Sequence, residues 1–212
     1  MAEEVLFTLE EWVNPQHTAL LIVDPQNDFC ASDGAMAKKG ADLSRIQAAA
    51  PRLNKFITGV RKIGMPVIWV QVMDRPDKML PSRRAVQKIY EVKPNTEKDY
   101  GRMWYPPVGA PEPGESIITK YHYDAFQDTD LNIILKTKGI KTVLVTGFTT
   151  TVCVETACRH GYINGYYIVL VSDCTDERSQ KQYESTIDNI RTFFGKVATS
   201  DELLKIWKTK AK

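Results

Sequence analysis

The chain has 212 residues, 43% of them hydrophobic and 25% charged, the balance of an ordinary globular protein that is long enough for one α/β domain. Its net charge of +2 gives no electrostatic case for a nucleic-acid or membrane partner, and no apolar run approaches the length of a membrane span. The acidic start, Met1-Ala2-Glu3-Glu4-Val5, lacks the apolar core of a signal peptide. Cys30, Cys153, Cys158 and Cys174 show neither a CxxC pair nor zinc spacing, so they read as free thiols of a reduced, cytoplasmic protein.

In chain order, Thr18-Ala19-Leu20-Leu21-Ile22-Val23 is apolar throughout and stops at Asp24, which reads as a buried strand. A helix is expected to begin near Pro51, with Leu53, Phe56, Ile57 and Val60 at helical spacing and Gly64 as its stop. Pro66-Val67-Ile68-Trp69-Val70 resumes as a strand, and Ser116-Ile117-Ile118-Thr119 is a short one ending at Lys120. Asp128-Thr129-Asp130 caps a helix carrying Leu131, Ile134 and Leu135 that ends at Gly139. Next come the strand Thr142-Val143-Leu144-Val145, a helix from Val154 to near Gly161, and the strand Tyr166-Tyr167-Ile168-Val169-Leu170-Val171 ending at Asp173. A helix over residues 180–194, a strand Lys196-Val197-Ala198-Thr199 and a helix after the Ser200-Asp201 cap complete the order. Strands that are apolar throughout and alternate with helices predict a mostly parallel sheet covered on both faces, within a single domain over residues 1–212.

Residues 73–115 break this rhythm, with no strand or long amphipathic helix expected. They hold seven of the eleven prolines (Pro76, Pro81, Pro94, Pro106, Pro107, Pro111 and Pro113) together with Tyr90, Tyr100, Trp104 and Tyr105. An insertion of this length in a compact domain is usually functional, and its aromatics argue against disorder, so a lid or subunit contact is expected.

Gly147-Phe148-Thr149-Thr150-Thr151-Val152-Cys153 places Cys153 where a strand has ended and a helix begins. Free N–H groups and the helix dipole there favour an anion, so the thiol is expected to lose its proton readily. Asp24 and Lys120 also fall at carboxyl ends of strands, and a parallel sheet brings those ends to one edge, where ligands bind. The three together make a coherent acyl-transfer site. The sulfur attacks a carbonyl, Asp24 moves the proton, and Lys120 balances the negative charge. His17, His122 and His160 stand at no comparable strand end, although His122 is close to Lys120.

The segments Leu21-Ile22-Val23-Asp24-Pro25-Gln26-Asn27-Asp28-Phe29, Lys120, and Gly147-Phe148-Thr149-Thr150-Thr151-Val152-Cys153-Val154 together resemble the isochorismatase-like cysteine hydrolases, over about residues 18–206. The resemblance implies a Rossmann-like three-layer α/β/α sandwich, commonly a homo-oligomer, with Asp24, Lys120 and Cys153 as the catalytic triad. It further implies a cis peptide between Phe148 and Thr149 and an oxyanion hole made by the backbone N–H groups of Thr149 and Cys153. Nicotinamidases of this family carry an Asp-x-His metal motif after the second strand. Here that region reads Gln71-Val72-Met73-Asp74-Arg75-Pro76, so no metal and no cofactor is expected. Tyr123-Asp124-Ala125-Phe126 and Asp188-Asn189-Ile190-Arg191-Thr192-Phe193-Phe194-Gly195 resemble ureidoacrylate amidohydrolases.

The expected activity is hydrolysis of a small ureido, carbamoyl or linear amide through a thioester. Gln26, Phe29, Trp104 and Tyr123 are candidates for the pocket wall, and Arg75, Arg83 and Arg84 for pairing with a substrate carboxylate. Vinyl-ether hydrolysis of isochorismate, nicotinamide hydrolysis and a non-catalytic thiol-sensing protein are the alternatives.

Overall fold

A computed structural model describes residues 5–75, 77–89 and 100–210. Six strands, β1 Thr18–Val23, β2 Val67–Val72, β3 Ser116–Lys120, β4 Thr142–Phe148, β5 Tyr167–Asp176 and β6 Gly195–Ala198, form one sheet in the order β3-β2-β1-β4-β5-β6. Every ladder is parallel. Short helices α1 Leu9–Trp12, α2 Asn27–Cys30 and α3 Ala35–Lys38 precede the long α4 Ser44–Lys62. The others are α5 Pro81–Ile89, α6 Leu131–Thr137, α7 Glu155–Ile163, α8 Gln180–Asn189 and α9 Ser200–Lys210.

The side-chain period of a strand divides the core in two. Leu20 and Ile22 face α4 and α9, where Leu53, Phe56, Leu203 and Trp207 close one core. Ala19, Leu21 and Val23 face the other way, against Leu131, Leu135, Ala157 and Ile187 of α6, α7 and α8. The expected layers, helices on both faces of a parallel sheet, are therefore present. β1 and β4 stand at the point where the strand order reverses, the place at which open parallel sheets part to admit a ligand.

Three boundaries differ from expectation. Helix α4 starts at Ser44, so Pro51 lies inside it. An interior proline costs about 3 kcal/mol. Ile46, Ala49 and Ala50 extend the buried stripe upstream, and full burial of an isoleucine alone contributes about 1.5–3 kcal/mol. Strand β5 runs to Asp176 rather than ending at Asp173, because its register with β4 shifts after Val145 and pairing resumes at Gly147 with Thr175. Inside residues 73–115, α5 opens with Pro81 at its first position, where a missing N–H costs nothing. Pro76, Tyr90 and Pro94 lie outside the described residues. The end of this segment is laid across the carboxyl end of β1: Asn27 donates to the Met103 carbonyl (3.0 Å), Tyr105 donates to Pro25 (2.8 Å), and Trp104 bridges to Gln26.

Candidate active site

Asp24 is the first residue beyond β1. Its N–H still donates to Val70 (2.9 Å), while its φ of 49° turns the chain out of the strand. Lys120 ends β3, and β2 lies between the two. Two strand spacings are about 10 Å, a gap that a short side chain does not bridge but a lysine does. Lys120 Nζ lies 2.8 Å from Asp24 Oδ2 and donates to the Tyr123 carbonyl at 2.7 Å, and both side chains are fully buried. Cys153 comes from the opposite side, beyond β4, and is buried close enough to Asp24 and Lys120 for the charge of each to act on its thiol. The structure thus brings the three residues together.

The turn that carries Cys153 is built on close approach. Gly147 has a φ of 105°, and a Cβ there would stand 2.0 Å from the Val23 carbonyl oxygen, so only glycine lets β4 lie this close to the Asp24 strand. The Phe148–Thr149 peptide is cis, as expected. A π-helical turn, Thr150–Val154, then leads into α7. The carboxyl end of β5 pins it. Thr150 shares a hydroxyl hydrogen bond with Thr175 (2.8 Å), and Thr151 donates its hydroxyl to Glu177 Oε2 (2.7 Å). Glu177 is fully buried and also accepts from the Arg178 N–H (2.9 Å). Burial pushes its carboxyl up, but the hydrogen bonds from Thr151, Arg178 and Thr149 bring it below the ordinary carboxylate range. Arg45 of α4 holds the preceding Asp176 at 2.7 Å.

The electrostatics overturn one expectation. Cys153 is not an acidic thiol. Burial pushes it up to about 12, with Lys120 pulling down and Asp24 pushing up. The helix-end field is real, yet desolvation of a charged sulfur outweighs it. Burial also raises the Asp24 carboxyl above its ordinary value, against the pull of Lys120 and Cys153. Burial works to deprotonate Lys120, but Asp24 and Cys153 hold it above the usual lysine value. The arrangement is a protonated cation, a strengthened carboxylate base and a thiol whose proton that base can take.

The four wall candidates behave differently from one another. Gln26 is buried, with its carboxamide spent on backbone: it accepts from Val72 N–H (2.8 Å) and donates to the Val72 and Arg102 carbonyls. Phe29 and Trp104 pack against the α4–α9 core, with Trp104 edge-on to Trp69 at 5.2 Å. Tyr123 is 50% exposed, and its ring lies under the guanidinium of Arg83. His122 pairs with Asp128 and His160 with Asp124. Glu177 and Asp74 escaped the sequence reading, because a buried acid beyond a strand looks in sequence like any polar turn residue. Among the described residues no cluster of three histidine, cysteine or acidic side chains forms a metal site.

A model of the isochorismatase domain matches residues 18–202. Two curated relatives each bear the name ureidoacrylate amidohydrolase RutB. The protein of Methylobacterium radiotolerans is 28% identical over 200 residues, covering 88% of this chain and 78% of its own. That of Methylorubrum extorquens is 30% identical over 195 residues, covering 85% and 79%. The crystal structure of a cysteine hydrolase from Pseudomonas syringae pv. phaseolicola matches over 99% of each chain, with a TM-score of 0.81 at 23% identity, a likeness of fold. A domain match that runs from β1 into α9, and so takes in all three buried residues at the strand ends, makes this chain a member of the isochorismatase family.

Proposed function

We propose that the protein is a metal-independent cysteine amidohydrolase that cleaves the C–N bond of a small ureido, carbamoyl or other linear amide. The observation that carries this reading is the burial of Cys153 beside the fully buried Asp24–Lys120 ion pair, near enough for both charges to act on the thiol. The Asp24 carboxylate takes the Sγ proton as sulfur attacks the carbonyl carbon. The backbone N–H groups of Thr149 and Cys153 hold the oxyanion; one such donor is typically worth about 3–4 kcal/mol of barrier. Asp24 passes its proton to the leaving nitrogen, the C–N bond breaks, and ammonia or an amine departs. Water, giving a proton to Asp24, attacks the thioester; the C–S bond breaks and the sulfur regains the proton. Lys120 stays charged throughout and offsets the negative charge that moves between Asp24 and sulfur. The stretch Arg102–Trp104, fixed to Gln26 beside β2, serves as part of a lid over the site.

The names of the curated relatives support the ureido choice. Ammonia release from a panel of ureidoacrylate-like acids, carbamoyl amino acids, biuret, nicotinamide and isochorismate tests it. We expect kcat/KM on a ureido or carbamoyl compound to exceed that on nicotinamide by at least about tenfold, a barrier difference near 1.4 kcal/mol. Preference for nicotinamide or isochorismate overturns the substrate assignment. Failure of a slow substrate to leave an acyl mass on Cys153 overturns the thioester.

A further inference from the structure

Two residues past β2, Asp74 is buried and accepts a hydrogen bond from Arg83 Nη2 of α5 at 2.7 Å. The same guanidinium lies over the Tyr123 ring, with Cζ 5.1 Å from its centroid. It is thus gripped at one edge and on one face. These contacts use one of the five N–H donors that an arginine carries. Nε and Nη1 are shielded from water and have no hydrogen-bond partner among the described residues. Buried donors on a charged group are costly to leave unpaired, so their retention in a folded protein calls for an acceptor.

The position says which acceptor. Arg83 is close enough to Asp24 for its charge to act on that carboxyl. The residue it covers, Tyr123, is the one whose carbonyl receives Lys120. Arg83 therefore adjoins the triad on the β2–β3 side, whereas Cys153 enters from β4. With β1 between β2 and β4, the two ends of the site are separated by about two strand spacings, ~10 Å. Arg102, whose carbonyl accepts from Gln26 beside β2, carries another buried Nε without a partner among the described residues.

We propose that Arg83 is the anion subsite of this active site, binding a carboxylate at the far end of a substrate whose carbonyl meets Cys153. Resting on the amidohydrolase reading above, this restricts the preferred substrates to small linear amides that end in an acid. Asp74 and Tyr123 act as positioning residues that hold the guanidinium fork at the spacing a carboxylate needs.

The test pairs N-carbamoyl-β-alanine with its methyl ester, which replaces the charged carboxylate by a neutral, slightly larger ester, and follows ammonia release by wild type, Arg83→Met and Arg83→Lys. Wild type should prefer the acid by at least about 30-fold in kcat/KM, the size of a charge-assisted bidentate contact. In Arg83→Met that preference should collapse to under about threefold through KM for the acid, and Arg83→Lys should recover part of it as a point charge. Equal use of acid and ester by wild type, or a preference that survives in Arg83→Met, overturns the subsite while leaving the amidohydrolase reading standing. If wild type releases ammonia from no amide, that reading fails instead. The subsite is then decided by calorimetry of N-carbamoyl-β-alanine with Cys153→Ser protein. Binding that disappears when Arg83→Met is added supports it. No binding, or equal binding by the double variant, overturns it.

Discussion

The two ends of the proposed substrate site are braced differently and leave opposite charges unspent, a carboxylate at one and a guanidinium at the other. Around Cys153 the frame is committed, Thr150 to Thr175, Thr151 to Glu177 and Asp176 to Arg45, while the Asp24 oxygens stand against the Lys120 charge without a hydrogen-bond donor among the described residues. Around Arg83 the anchor is fixed, but Nε and Nη1 are unspent. A braced frame around an unspent carboxylate suits chemistry, which demands one geometry whatever the substrate. An end with donors to spare suits selection, where affinity depends on what the substrate brings to pair with them. Damage to the first should remove turnover on every substrate; damage to the second should change which substrate is used.

The largest effect expected is from Cys153→Ala, which should show no ammonia release from acid or ester alike while its thermal midpoint stays close to wild type. Appreciable turnover in that variant would break the comparison at its root. Asp24→Asn and Lys120→Met come next, each lowering kcat by about a hundredfold or more on both substrates, as general acid–base groups do. Asp24 also sets a pH signature. Its carboxylate is the working form and burial raises its pKa, so kcat/KM should fall as pH drops through a limb above the ordinary carboxylate range. Activity that persists unchanged to pH near 4 speaks against Asp24 as the base.

Gly147→Ala should act on both stability and rate. A Cβ 2.0 Å from the Val23 carbonyl forces β4 away from β1, for about 2–3 kcal/mol and a midpoint lower by roughly 5–10 °C. The smallest expected effect is that of Glu177→Gln, about tenfold in kcat, because it loosens the turn under the oxyanion without touching the reacting atoms. Glu177 also carries a linkage. Its folded pKa is depressed, so its contribution is present above the unfolded value near 4.3 and is lost as pH falls through the lower folded value. In Glu177→Gln the stability–pH curve should be flatter across that acid window, measured by urea titration at several pH values.

The sequence made the meeting of the three strand-end residues legible because a long-range arrangement had local markers. Asp24, Lys120 and Cys153 each close an apolar run, and a parallel sheet places such ends together. The state of the thiol was not legible, since desolvation depends on the whole enclosure and not on the turn that bears the sulfur. Nor was the start of α4, where the proline rule predicted a boundary and the burial of Ile46 outweighed it. Gln26 could be named as part of the site but not given its role, because a buried carboxamide that serves backbone and one that serves a ligand look the same in one dimension. The Asp74–Arg83 pair was least visible: nine residues apart, across the start of α5, with nothing in the spacing to say that they meet.

Lys120 also ties the edge of the sheet to its centre. β3 is an edge strand among the described strands, held on one side only, and edges are where sheets open first. When β3 lifts, the interior carboxylate on β1 loses its counter-ion and takes up a proton or water instead. Fraying that elsewhere would be harmless here shuts down the centre of the molecule. Amide exchange along residues 116–120 should therefore speed up in step with the loss of competent protein as denaturant is added below the main transition.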